Sequence, residues 1–238
     1  MKLLNTTASN TKIKKTQNKP NNYFGKPIRM ASLSMLPDHI ICAGSKAANC
    51  MDLCLKDAGL AAVYDSVNIA RQARTDYWHA NQTGFLDQLR RELGNFQKLC
   101  DKQNVQGVVR LNVLSDISWE KHGIPQHFPD LFFYDYTKQA KRLGNTPDNY
   151  RLMFSYSDRP QYQKQVAAAL PTGVPIAVVF KNGMLSEYLD RPVVDGDQSD
   201  ILNVLAGRVV IGLKAKGPAK KDTGGFVVDT NLIARVAA

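Results

Sequence analysis

The stretch VPIAVVF, residues 174–180, constrains the fold of this chain more than any other segment. It is apolar throughout, short, and preceded by Thr172 and Gly173. A run of this length and β-branched content predicts a strand, and a strand apolar on every residue has to be covered on both faces. Strands of that kind sit in parallel sheets whose connections are helical crossovers. Candidate partners recur along the chain: IRMASLSML (28–36), ended by Pro37, VQGVVRLNVL (105–114), LFFYDYT (131–137), YRLMFSYS (150–157), RPVVDGD (191–197) and RVVIGLKAKG (208–217). Helical patterns lie between them. One is expected from Asn49 to about Ala80, interrupted near Gly59, and a second is GFLDQLRRELGNFQKLCDK (84–102). KQAKRLG (138–144), RPQYQKQVAAAL (159–170) and DQSDILNVLA (197–206) read as shorter helices. The expected fold class is α/β: a partial (β/α) barrel, or an open, mostly parallel sheet with helical crossovers.

Length and charge set the domain plan. A chain of 238 residues buries a full core as one domain or at most two. Residues 1–37 carry seven basic side chains and no acid, and residues 208–238 carry six basic and two acidic ones, whereas the segment between them is close to neutral. The plan is therefore a basic, disordered N-terminal tail over 1–27, a single α/β domain over 28–217, and a basic, flexible C-terminal segment over 218–238 packing on it. Basic tails of this kind can hold DNA or RNA through phosphate contacts, or serve solubility alone. No apolar run approaches the ~18 residues of a membrane-spanning helix. The start MKLLNTTASNTKIKK is too polar for a secretory signal, so a cytoplasmic, reducing compartment is expected.

In such a compartment the four cysteines are free thiols or metal ligands. Cys42, Cys50 and Cys54 fall within thirteen residues, in the loop expected after the first strand, and Cys50 and Cys54 would share a face if that stretch were helical. A group this tight is a candidate metal or iron–sulfur site. His39 is an alternative fourth ligand, which would make a Cys3His zinc site. Buried, reduced thiols packing as small apolar residues are the other reading. Cys100 continues the apolar stripe of Phe85, Leu89, Leu93 and Phe96 and is expected in the core.

In a parallel sheet, polar groups at the carboxyl ends of the strands share one rim. That rim would collect Ser115, Asp116, Tyr136, Thr137, Lys138, Ser155, Ser157, Asp158, Lys181, Asp195, Asp197, Lys214 and Lys216, together with the cysteine loop. No Walker or Rossmann glycine motif is present. A Cys–His pair using His79, His122 or His127 lacks a flanking motif. Asp116, Asp135, Asp158, Asp195 and Asp197 do not have the spacing of a magnesium site.

The cysteine loop, VVRLNVLSDISWE, PDLFFYDYTKQ and YRLMFSYSD together resemble the phage and plasmid gene product 88 group over roughly residues 30–195. The most specific pieces are residues 110–116, the Tyr-Thr-Lys at 136–138 and the Ser-x-Ser-Asp at 155–158. The resemblance implies a reduced radical-SAM-like partial barrel, encoded by a phage or plasmid and working in the host cytoplasm. It implies that Cys42, Cys50 and Cys54 hold a [4Fe–4S] cluster that binds S-adenosylmethionine. Cofactor contacts would then come from Ser115, Asp116, Tyr136, Lys138, Ser155, Ser157 and Asp158. The alternative is a nucleic-acid-binding replication or transcription accessory protein, with a structural zinc site or no metal.

Overall fold

The computed structural model describes residues 1–7, 11–18, 23–54 and 59–236. Ten strands among the described residues form one open sheet that does not close into a barrel. In chain order they are β1 (Leu4–Asn5), β2 (Ile28–Leu33), β3 (Gln106–Arg110), β4 (Phe132–Thr137), β5 (Tyr150–Ser155), β6 (Ile176–Lys181), β7 (Glu187–Tyr188), β8 (Arg191–Asp195), β9 (Val210–Lys214) and β10 (Val228–Asp229). Their spatial order is β1-β2-β3-β4-β5-β6-β9-β8-β7, with β10 also paired to β6. The pairings from β2 to β8 are all parallel, and only β1 and β7 at the two edges run antiparallel. With β10 parallel to β6, eight strands therefore end on the same rim.

Alternation decides which side chain meets which cover. Ala31, Val109, Phe133, Phe154 and Val178 point into the larger core, which also takes the buried sides of α3 (Asp65–Ala80) and α4 (Gln82–Gln103). Met30, Val108, Tyr134, Met153 and Ala177 point to the opposite face, beneath α1 (Thr11–Asn18) and α7 (Asp200–Val204). VPIAVVF is buried on both faces, as its composition requires. Phe85, Leu89, Leu93, Phe96 and Cys100 line the buried side of α4, so Cys100 is a core thiol.

Several local expectations differ from the structure. Within residues 1–27, Leu3 and Leu4 are buried, β1 extends the sheet, and α1 buries Ile13 and Thr16. Residues 8–10 and 19–22 of that segment lie outside the described residues. The helix expected from Asn49 does not form over the cysteines. α2 (Ser45–Ala48) stops at Asn49, whose left-handed φ of 54° ends it, and Cys50 to Cys54 follow as turns. Cys50 and Cys54 therefore do not share a helical face. KQAKRLG forms only a 3-10 turn at Ala140–Arg142, because the Arg142 side chain is drawn inward to buried carboxylates. β3 ends at Arg110, where Asn112 takes over. Its carboxamide oxygen accepts hydrogen bonds from Ser115 Oγ, the Ile117 N–H and Trp119 Nε1, which folds residues 112–119 into a turn. The remaining short helices are α5 (Ile124–His127), α6 (Gln163–Ala169) and α8 (Thr230–Val236).

Candidate functional site

The carboxyl ends of β2, β3, β4 and β5 converge on one side chain, Lys138, which follows directly after β4. The residue is half-buried, with its ammonium turned inward to donate a 2.7 Å hydrogen bond to Ser155 Oγ at the end of β5. The ring of Phe226 lies 5.3 Å from the same nitrogen. Burial, the largest influence, lowers the Lys138 pKa. Cys50, Cys42, Asp116 and Cys54 outweigh it together and hold the group above the ordinary lysine value. All three clustered cysteines therefore lie in the electrostatic neighbourhood of one cation. Burial pushes the Cys42 thiol up to about 12, against the pull of Lys138.

The cysteine loop is held against Lys138 by three local devices. Gly44 is the first: a Cβ there would meet Lys138 Cβ at 2.5 Å, so only glycine permits the approach. Asp38 is the second. Its carboxylate accepts the Ile40 and Ile41 N–H groups, its carbonyl accepts the Cys42 N–H, and His79 Nε2 lies 2.7 Å from its other oxygen. The third is Asp116, whose N–H donates to Ile41 O at 2.7 Å. The same Asp116 accepts the Lys138 N–H through Oδ2 at 2.9 Å and pairs with Arg142 through Oδ1 at 2.6 Å. It thus joins the cysteine loop, the turn after β3 and the end of β4.

Arg142 anchors this hub. Its guanidinium is held bidentately by Glu120 at 2.9 Å and donates to the Tyr150 hydroxyl at 3.0 Å. The Tyr150 hydroxyl in turn donates to Asp135, which also accepts the Asn112 N–H. Burial lifts Asp135 to about 7, and Arg110, the Asn112 N–H and the Tyr150 hydroxyl pull it back down. Asp116 is raised for the same first reason, with Arg142 the main opposing charge. Tyr162 closes the layer, its hydroxyl donating to the carbonyls of both Lys138 and Ser155 at 2.9 Å.

The residues expected on the rim divide into three groups. Lys138 lies within electrostatic reach of the thiols, and Ser155 holds its ammonium. Ser157 lies beside them, donating to Ala48 O, two residues before Cys50, and to Gly225 O. Ser115 and Asp116 are buried supports, their polar atoms spent on Asn112, Arg142 and the backbone. Tyr136 is elsewhere: its hydroxyl reaches Asp200 at 2.9 Å and its ring lies 4.8 Å from the Arg110 guanidinium, on the opposite face of the sheet. The reason is alternation, since residues of even number in β4 point away from the thiols and only the turn after Thr137 brings Lys138 around. Asp158 accepts the Tyr156 hydroxyl and lines a separate cavity of 390 Å³ with Lys181 and Asp222. His39 is exposed, with Nδ1 3.0 Å from Ser45 Oγ. Sequence reasoning missed Arg142, Tyr162 and Phe226. Nothing in KRLG or GGF sets them apart from ordinary surface and loop residues, and only their partners reveal them.

Among the described residues, no three His, Cys, Asp or Glu side chains are gathered closely enough to hold an ion as they stand. None of the described helices is long and apolar enough to cross a membrane. No curated protein and no solved structure matches the chain. The family model described as gene product 88 matches residues 2–230, nearly the whole length, and the chain belongs to the gene product 88 family.

Proposed function

We propose that this phage-type protein carries an iron–sulfur cluster on Cys42, Cys50 and Cys54 and works as a radical-SAM-like enzyme. The observation that supports this most directly is the setting of Lys138. Its ammonium is turned inward, within electrostatic reach of the three cysteines and of Asp116, and it donates a hydrogen bond to the neutral Ser155 hydroxyl. An inward cation costs several kcal/mol of desolvation unless anions come to it, and the one carboxylate near it, Asp116, is already paired with Arg142. Three thiolates bound to a cluster would carry that negative charge; thiolate sulfur is the ordinary ligand of such clusters, and since the three side chains are not gathered as they stand, the cysteine loop would close on it. When bound, the cluster would supply electrons and an open iron for the amino and carboxylate groups of S-adenosylmethionine.

The chain's own residues do the rest. Lys138 balances the charge of the thiolates. Gly44 and Asp116 hold the loop of Cys42 against the β4 end, and Ser157 fixes the backbone just ahead of Cys50. The turn that carries Cys54 is closed by the Cys54 N–H, which donates to Met51 O at 3.3 Å.

Anaerobic purification tests the reading. Brown protein with iron and acid-labile sulfide in equal amounts is expected, and Cys42→Ala, Cys50→Ala and Cys54→Ala should each abolish both. Lys138→Met should lower cluster retention while leaving the fold intact. Colourless protein with one zinc per chain would overturn the proposal in favour of a structural zinc site, with His39 to be tested as the fourth ligand. In that case salt-sensitive retention on DNA or RNA, lost in a Lys14→Gln, Lys15→Gln variant that keeps the buried side of α1, would identify the accessory role.

A further inference from the structure

The C-terminal segment does more than pack on the domain. β5 pairs with β6 only at Phe154–Ile176 and Ser155–Ala177, after which the two strands part. β10 fills the opening by pairing with Phe180 and Lys181. Residues 222–227, Asp-Thr-Gly-Gly-Phe-Val, enter just before it and cross the rim beside the thiols. The crossing is tightly built. The Asp222 carboxylate accepts the N–H groups of Gly224 at 2.8 Å and Val227 at 2.7 Å, and Lys181 Nζ donates to its carbonyl at 2.6 Å. Gly225, at a φ of +89°, offers its carbonyl to the Asp158 N–H at 2.8 Å and to Ser157 Oγ.

Two contacts direct this strap at the cysteine loop. A Cβ on Gly224 would collide with the side chain of Asn49, the residue before Cys50. Leu53, between Cys50 and Cys54, packs with Phe226 against a small apolar cluster of Ala215, Ala219 and Val227. Phe226 also covers the Lys138 ammonium.

We propose that residues 222–227 form the lid of the Lys138 site, with Phe226 as its seal and the Asp222 carboxylate as its latch. The lid covers the ammonium, clamps the turn carrying Cys50 and Cys54, and sets how readily solvent and small reagents reach the thiols. The inference rests on the reading that the thiols and Lys138 are the functional site, but its test does not depend on a bound cluster. In the full-length protein, iodoacetamide modification of each cysteine is followed by peptide mass spectrometry in the wild type, Phe226→Ala and Asp222→Asn. Asp222→Asn keeps the seal and loosens the latch, which guards against the first variant failing to fold. Opening of a local unit is expected to raise the Cys42 and Cys50 rates about tenfold or more in both variants, with Cys100 under α4 unchanged. Rates for Cys42 and Cys50 that stay at the wild-type value, or a Cys100 rate that rises in step with them, would overturn the lid. Iron and sulfide, measured on the same samples, report separately on the cluster, so either reading can fail alone.

Discussion

Gly44 shows how far one residue sets the geometry of the rim. Its missing Cβ lets the cysteine loop lie on the stem of Lys138, and the neighbouring backbone leaves little room to retreat. Gly44→Ala should lower stability by about 1–3 kcal/mol, the usual cost of forcing extra volume into a packed contact, as read by chemical denaturation. Asp135 makes a second prediction. Burial raises its carboxyl from 3.8 to about 7. The folded state thus binds this proton more tightly than the unfolded chain. The corresponding stabilisation is complete below pH ~4 and is lost as pH rises through about 7. The difference amounts to about 4 kcal/mol at 1.36 kcal/mol for each pKa unit. Asp135→Asn should flatten the pH dependence of the denaturation midpoint over that range, and a slope unchanged from wild type would contradict the assignment. Neither role was visible in the sequence, where Gly44 is one of sixteen glycines and Asp135 one of several acids at strand ends. What distinguishes them is which atoms stand opposite, and that depends on chain segments about ninety and fifteen residues away (Lys138 and Tyr150).

At the scale of elements, the long helix and the apolar strands follow from local pattern. α4 starts at Asn81, whose side-chain oxygen accepts the Gly84 N–H at 2.9 Å, and it ends at Asn104 in a left-handed conformation with φ 50°. Its buried stripe lies at helical spacing, so pattern and packing agree. Asn81→Ala should cost about 1 kcal/mol through the lost cap, and Leu89→Ala about 2–5 kcal/mol through a core cavity. Thermal or denaturant unfolding followed by circular dichroism should rank the second well above the first. The elements that departed from expectation are short and irregular. Residues 50–54 are turns because Asn49 stops α2, and KQAKRLG is a single 3-10 turn because Arg142 points inward. A few residues of helical composition do not make a helix when tertiary partners claim the side chains. In the same way, Ile13 and Thr16 acquire a buried side on α1 only because the opposite face of the sheet is there to receive it.

At the scale of the molecule, the rim is a junction of segments far apart in sequence, and Arg142 is its keystone. One guanidinium holds Asp116, Glu120 and the Tyr150 hydroxyl. Through Asp116 it reaches both the cysteine loop and Lys138. Arg142→Met would leave two buried carboxylates without their cation. Loss of one partner from a buried ion pair costs about 3–5 kcal/mol, so the variant should unfold at markedly lower denaturant and show faster alkylation of Cys42. A stability within error of wild type would show that the carboxylates are solvated or otherwise paired. The sequence by itself determined the class of fold. Unbroken apolar strands separated by helical segments leave an open or partly closed parallel sheet as the arrangement that covers both faces, and parallel connection puts every strand's carboxyl end on one rim. It also picked out the three clustered thiols as the unusual chemistry of the chain. Only the tertiary structure decided which rim residues gather near them: Lys138 does, held by Ser155, Tyr136 does not, and Phe226 joins from more than eighty residues later. The physical reason is that composition and periodicity fix the course of the backbone locally, whereas a site is made where side chains from different segments meet. Strand alternation, a glycine that admits a close approach and a strap that enters between two diverging strands settle those meetings, and each of them depends on the whole assembled sheet.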